Sequence, residues 1–181
     1  MSDSRVRPVR EGDWPQLAAL EADAYATCGL SEGQAALESK GRASPGTCFV
    51  LDLDGRIAGY LLALPYPRFL YPDLAQTDEP VHRARNLHLH DMVVAEDQRG
   101  RGWSDRLLTR LTDAANPAYD HVSLIAVGGM APFWAARGYR AHPEIRLPQS
   151  YGEDAVYMSL TLPGGGTSAS KEVARFPCPV S

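Results

Sequence analysis

The sequence predicts an α/β domain: a mixed sheet with helices on both faces. Three observations carry that expectation. Apolar residues at helical spacing fall between strand-like runs, an Asp-Gly turn joins two early strands directly, and 181 residues with 44% apolar side chains suffice for one compact core. Helices between strands call for crossover connections, and the hairpin calls for an antiparallel pair, so the sheet must be mixed.

In chain order, Arg5-Val6-Arg7-Pro8-Val9 alternates and is expected as a short edge strand. Asp13 is placed to cap a helix whose Trp14, Leu17, Leu20, Ala24 and Tyr25 recur at three- and four-residue intervals. A second helix is expected over Glu32 to Ser39, ended by the breaker cluster Gly41 to Gly46. Cys48 to Leu51 is a strand, Asp54-Gly55 the turn, and Ile57 to Leu64 the returning strand. Residues 65–86 carry four prolines and the aromatics Tyr66, Phe69 and Tyr71, a connection long enough to suggest a functional loop. Leu87 to Val94 is a central strand. Gly100 to Gly102 break the chain, and Leu107, Leu108, Leu111 and Ala115 mark a helix. Val122 to Val127 is a buried strand, Ala131 to Arg137 a short helix, and Ala155 to Leu162 the last strand. The domain is expected over residues 1–162. Residues 163–181, with Gly164-Gly165-Gly166 and a Ser-rich stretch, are expected as a flexible tail.

There are 18 Lys and Arg against 22 Asp and Glu, a net charge of −4. That balance disfavours nucleic acid or an anionic membrane as partner, since both require a concentrated basic surface. Only Lys40 and Lys171 are lysines; the other cations are arginines, suited to forked binding of phosphate or carboxylate. Cys28, Cys48 and Cys178 have no repeated spacing, the N-terminus has no signal-like apolar run, and no stretch approaches a membrane span. A cytoplasmic protein is expected, and neither a secreted disulfide scaffold nor a membrane protein.

The most informative segment is the strand, glycine loop and helix from Leu87 to Ala115. Glycines let a backbone approach an anion, a helix N-terminus supplies unpaired N–H groups and the positive end of its dipole, and Arg99 and Arg101 add charge. Together they describe a pyrophosphate cradle; a plain turn with solvated arginines is the alternative. The loop lacks the Gly-Lys-Ser/Thr ending of a P-loop and the glycine spacing of a dinucleotide fingerprint.

Val94-Ala95-Glu96-Asp97-Gln98-Arg99-Gly100-Arg101-Gly102-Trp103-Ser104 resembles the acetyl-CoA-binding motif of the GNAT acetyltransferases, Gln/Arg-x-x-Gly-x-Gly/Ala, with Arg99, Gly102 and Ser104 at its marked positions. Ser104 departs from the usual Gly or Ala. The family's second segment is matched by Val122 to Val127 followed by Ala131-Pro132-Phe133-Trp134-Ala135-Ala136-Arg137-Gly138-Tyr139. The resemblance implies a GNAT fold, a mostly antiparallel sheet of six to seven strands with a splayed central pair. It also implies acetyl-CoA as cosubstrate. Gln98, Arg99, Gly100, Arg101, Gly102, Trp103 and Ser104 would hold the pyrophosphate. Met92, Val93 and Val94 would pair with the pantetheine arm, with Phe133 and Trp134 also at the cofactor and no metal. Family members often form homodimers; no feature of the sequence decides it here.

Leu87-His88-Leu89-His90 further resembles the His-Leu-His strand of the aralkylamine (serotonin) N-acetyltransferases, where two histidines help remove the amine proton. Their Pro-Phe-Tyr acid is Pro132-Phe133-Trp134 here, and an indole cannot serve as a proton-donating acid near neutral pH. His88 and His90, two apart, share one strand face and are the candidate bases. Asp91 falls on the opposite face by strict alternation and is expected to be structural. Tyr151 and Tyr157 are the remaining acid candidates for the departing thiolate, with plain packing as the other role. Tyr25, Tyr66, Phe69 and Tyr71 would suit the walls of an arylalkylamine pocket, and Glu21 and Asp23 are either attractors of a cationic amine or exposed helix carboxylates. The expected activity is direct transfer of an acetyl group to a primary amine of a small molecule. A protein or peptide N-acetyltransferase and a non-catalytic acyl-CoA-binding module are the alternatives.

Overall fold

A computed structural model describes residues 4–74, 83–116 and 118–163. The tail expected at 163–181, apart from Pro163, lies outside the described residues, as do Cys178, Lys171 and residues 75–82 of the long connection. The strands are β1 (Ser4–Pro8), β2 (Cys48–Leu53), β3 (Arg56–Pro65), β4 (Asn86–Val94), β5 (His121–Ala126), β6 (Arg140–Ala141) and β7 (Val156–Thr161). The helices are α1 (Trp14–Ala24), α2 (Gln34–Ala43), α3 (Trp103–Ala115) and α4 (Ala131–Ala135). The strands form one seven-stranded sheet in the order β1-β2-β3-β4-β5-β7-β6, with β4 and β5 parallel and every other pair antiparallel.

Each face of the sheet carries its own core. On one, Leu107, Leu111 and Ala115 of α3 and Trp134 of α4 pack on Phe49, Leu61, Leu87, Leu89, Val122 and Leu124. On the other, Trp14 and Leu17 of α1 and Leu37 of α2 pack on Val50, Ile57, Tyr60, Leu62 and Val93. Fully burying each such side chain contributes about 1.5–3 kcal/mol, which is what binds four short helices to the sheet. The Asp54-Gly55 hairpin has φ of 52° and 88°, the left-handed pair that a two-residue turn of matching twist requires.

Several boundaries depart from expectation. Asp13 precedes α1 but does not cap it. Its carboxylate takes the Arg7 guanidinium at 2.7 and 2.9 Å and the Arg10 amide at 2.7 Å, closing a short 3-10 turn. Helix α2 begins at Gln34 and runs through Gly41 to Ala43. Gly41 is tolerated within the helix because Trp14 lies against it: a Cβ there would meet the indole at 2.2 Å. The two-residue strand β6 has no sequence signal of its own and exists by pairing with β7.

Candidate active site

β4 and β5 pair only at Asn86–His121, Leu87–Val122 and His88–Ser123. Past that point β5 continues on β7 to Ala126 while β4 continues on β3 to Val94, so the sheet opens between them. A bulge opposite Leu62/Ala63 leaves His90 without a partner on β3, and a bulge bends and twists the strand that carries it. Gly59 lets the far end of β4 press close, since a Cβ there would lie 2.9 Å from Val93 O. The Ala95 amide bonds Ala58 O on the β3 side at 2.9 Å. By antiparallel alternation the Val93 amide also faces β3, while Met92 and Val94 turn their N–H groups to the opened seam.

A cleft of about 600 Å³ occupies one side of the seam, with Tyr25, Met92, Val93, Val94, Arg99, Gly100, Ser104, Gly128 and Phe133 in its walls. Gly100 and Gly102 both have positive φ (73° and 77°), and Gly102 immediately precedes α3. No side chain caps α3, and the Arg106 amide to Gly102 O is the bond that starts the helical ladder. The amides of Trp103, Ser104 and Asp105 therefore have no acceptor within the helix, the arrangement that binds anions. A Cβ at either glycine would meet nothing within 4 Å, so the space before the loop is open. Arg99 reaches back to Val94 O at 3.2 Å and lies along the cleft.

The other expected cofactor residues divide. Gln98 turns its amide to Asp97 at 3.0 Å, Arg101 is exposed, and neither lies in the cleft wall. Trp103 packs half-buried on the α3 core with Arg106 over its ring at 4.8 Å. Trp134 does not reach the cleft. It is 7% exposed in the core, edge-on to Tyr139 at 5.3 Å, because neighbouring positions of α4 point apart and Phe133 takes the cleft side.

Across the seam, a small cavity of about 40 Å³ is lined by Tyr25, Leu30, Glu32, Leu74, Asp91, Val127 and Tyr151. Glu32 is placed by Glu21, which is buried rather than exposed and accepts hydrogen bonds from the Glu32 amide at 2.6 Å and Ser31 Oγ at 2.7 Å. The Glu32 carboxylate bonds His90 Nε2 through one oxygen and Lys40 Nζ, at 2.7 Å, through the other. Burial alone would raise the Glu32 carboxyl, but the bonds and charges of His90 and Lys40 outweigh it and hold it below its ordinary range. Asp91 lies on this same side: the bulge at His90 breaks strict alternation, and Asp91 accepts bonds from Tyr25 Oη at 2.6 Å and from Tyr60 Oη. Burial raises its carboxyl in spite of the two phenols.

The two histidines have different environments. His88 is 2% exposed, with Nδ1 3.0 Å from Ser123 Oγ and its ring stacked on Tyr157. Burial first, and the neighbouring His90 second, pull its pKa down to about 3, so the ring is neutral at pH 7 and a poor proton acceptor. Tyr157 Oη accepts the Phe69 amide at 2.9 Å, and Tyr151 Oη donates to Pro72 O at 3.0 Å. Burial raises both phenols, and neither is in the wall of the 600 Å³ cleft. Tyr66, Phe69 and Tyr71 pack on His88, His142 and Tyr151 rather than around the small cavity.

The sequence patterns did not mark Glu32 and Lys40, and they put Asp91 on the opposite face of β4. The available signal was Lys40 on the same stripe of α2 as Ala36 and Leu37, a charge placed on an apolar face. Among the described residues, no group of three or more His, Cys, Asp or Glu is disposed to hold a metal, and no helix is long and apolar enough to cross a membrane.

The family model for the acetyltransferase (GNAT) family matches residues 14–139. No curated protein matches the chain. Among solved structures, Ard1 from Thermoplasma volcanium is 16% identical with a TM-score of 0.68, over 88% of this chain and 97% of that one. GphF, a GNAT-like decarboxylase in complex with isobutyryl-CoA, is 21% identical with a TM-score of 0.68, over 88% of this chain and 100% of that one. The N-acetylglutamate synthase from Neisseria gonorrhoeae, complexed with coenzyme A and N-acetyl-glutamate, is 18% identical with a TM-score of 0.68, over 90% of this chain and 36% of that one. At such identities the likeness is one of fold, and it coincides with the opened sheet and the family match. The chain belongs to the acetyltransferase (GNAT) family and is an acyl-CoA-dependent acyltransferase.

Proposed function

We propose that the chain transfers an acetyl group from acetyl-CoA directly to the primary amine of a small molecule, both substrates being bound together. One observation carries this reading: Tyr25 stands in the wall of both the cleft and the small cavity, so a thioester in the first and an amine in the second would meet at the seam. The diphosphate would rest on the free amides of Gly100 to Asp105, with Arg99 beside it and the pantetheine arm along Met92 to Val94. The Val94 N–H is the donor we assign to the thioester oxygen, where charge develops on attack.

The amine must lose a proton to expose its lone pair. The nitrogen attacks the carbonyl carbon, the C–N bond forms, the C–S bond breaks, and CoA leaves as a thiolate. We assign the departing proton to the Glu32–His90 pair, Glu32 lining the cavity and holding the His90 ring through Nε2. His88 serves as a neutral strut at the fork. Tyr151 is assigned to the wall of the small cavity and Tyr157 to packing against His88, since a thiolate of pKa near 8–9 takes its proton from water without help. A cysteine intermediate is not invoked: burial pushes the Cys48 thiol up to about 12.

The small cavity favours a compact amine over the arylalkylamine that the His-Leu-His strand suggests. Tyr71 Oη to Arg146 O (3.1 Å) and Tyr151 Oη to Pro72 O tie the connection after β3 across this end of the sheet, which suits a small acceptor better than a peptide groove. The catalytic unit is taken as residues 1–162, since the Leu162 amide still bonds Asp120 O at 2.8 Å while 163–181 follow the last strand. The test is thiol release from acetyl-CoA across compact aliphatic amines, arylalkylamines and peptides. Turnover with the compact amines is expected. Turnover with peptides alone, or tight CoA binding with no thiol release, would overturn the reading.

A further inference from the structure

Lys40 is the one lysine among the described residues, and none of its surface reaches solvent. Its ammonium contacts one oxygen of Glu32, and the other oxygen of that carboxylate bonds His90. A buried ammonium gives up its hydration, a cost that its partners, the Glu32 carboxylate among them, must offset. Packing does not require it: a methionine would fill the same position on the face of α2 that holds Ala36 and Leu37.

We propose that Lys40 is a positioning residue for acyl transfer, holding the Glu32 carboxylate as an anion against His90 and so setting the tautomer and proton affinity of that ring. The proposal rests on the reading of the Glu32–His90 pair as the proton acceptor. A carboxylate at Nε2 makes that nitrogen the N–H and leaves Nδ1 as the basic atom. Among the described residues no group bonds His90 Nδ1.

The other groups around the pair are Glu21 from α1, Tyr25 just after it, His88 and Asp91 from β4, and Tyr151 from the turn before β7, with Tyr60 of β3 bonded to Asp91. At pH 7 these are anions or neutral groups, so none of them replaces the charge of Lys40. Removing the ammonium makes the carboxylate easier to protonate and takes a like charge away from the imidazolium. Both effects raise the proton affinity of the pair. Removing the carboxylate does the reverse, because the imidazolium loses its counter-ion.

The test uses the full chain with labelled histidine, following the His90 ring by NMR against pH beside the pH–rate profile, with thermal melts to confirm folding. Lys40→Met is expected to move the ring midpoint and the acid limb of the rate upward by about one pH unit, and Glu32→Gln to move both downward. Should Lys40→Met fail to fold, Lys40→Gln and Glu32→Gln carry the same comparison. Ring midpoints that stay still, or move in the same direction in both variants, would overturn the proposal and leave Lys40 a packing residue. Ring midpoints that move as stated in a protein releasing no thiol with any amine would instead overturn the transferase reading, and the positioning role with it.

Discussion

His88 Nδ1 lies 3.0 Å from Ser123 Oγ at the last residue pair that joins β4 to β5. Asn86 Nδ2 donates to the same hydroxyl at 2.8 Å, so a buried polar knot marks where the sheet opens. Charge is costly in such a buried knot, so a ring held neutral by burial suits it better than a charged one.

The knot makes stability depend on pH in a specific way. The folded His88 ring, with a pKa of about 3, binds fewer protons than the unfolded ring below pH 6.5. Stability therefore falls as pH drops through 6.5 and levels off near 3. Between pH 7 and 5 this ring alone accounts for a loss of about 2 kcal/mol. His88→Gln should be less stable at pH 7 yet lose less on acidification, as read by urea unfolding at the two pH values. An equal loss in both proteins would contradict the assignment.

Gly102 tests the cradle. Gly102→Glu places a carboxylate at the N-terminus of α3, where the diphosphate is assigned, and should weaken CoA at least tenfold by calorimetry. Gly102→Asn tolerates the left-handed backbone without the charge and should bind CoA within a few-fold of the parent.

Gly41 tests the packing of α2 on α1. Gly41→Ala drives a methyl into Trp14 and should cost about 1–3 kcal/mol in urea unfolding. Gly46→Ala, with nothing within 4 Å of the added carbon, should be close to neutral.

The two tyrosines on Asp91 make a further pair of variants. Tyr60→Phe removes a donor from a buried carboxylate whose pKa burial has already raised, and should cost about 1–3 kcal/mol in thermal unfolding at pH 7. Tyr25→Phe removes the other donor and alters the wall shared by cleft and cavity. It should raise KM for the amine more than it lowers stability.

Much of the fold was legible in the sequence because the signals are local. Asp54-Gly55 announces its own turn, and Gly100 and Gly102 announce a loop that requires positive φ. The seam was legible only through resemblance, since nothing in Leu89 to Val94 says where β5 lets go. Strict alternation misplaced Asp91, because the bulge at His90 depends on how β4 meets β3, a contact between segments distant in sequence. Glu32 and Lys40, at the start and just past the end of the expected second helix, carried no sign of pairing for the same reason. Eight residues apart, they form a buried pair whose carboxylate also meets His90 of β4, a contact between segments distant in sequence.

Where CoA sits decides the function, and amide chemical shifts during a CoA titration measure that directly. Saturable shifts concentrated at Gly100 to Asp105 and at Met92 and Val94 are the predicted result. Shifts centred away from the fork of β4 and β5, or none that saturate, would contradict it.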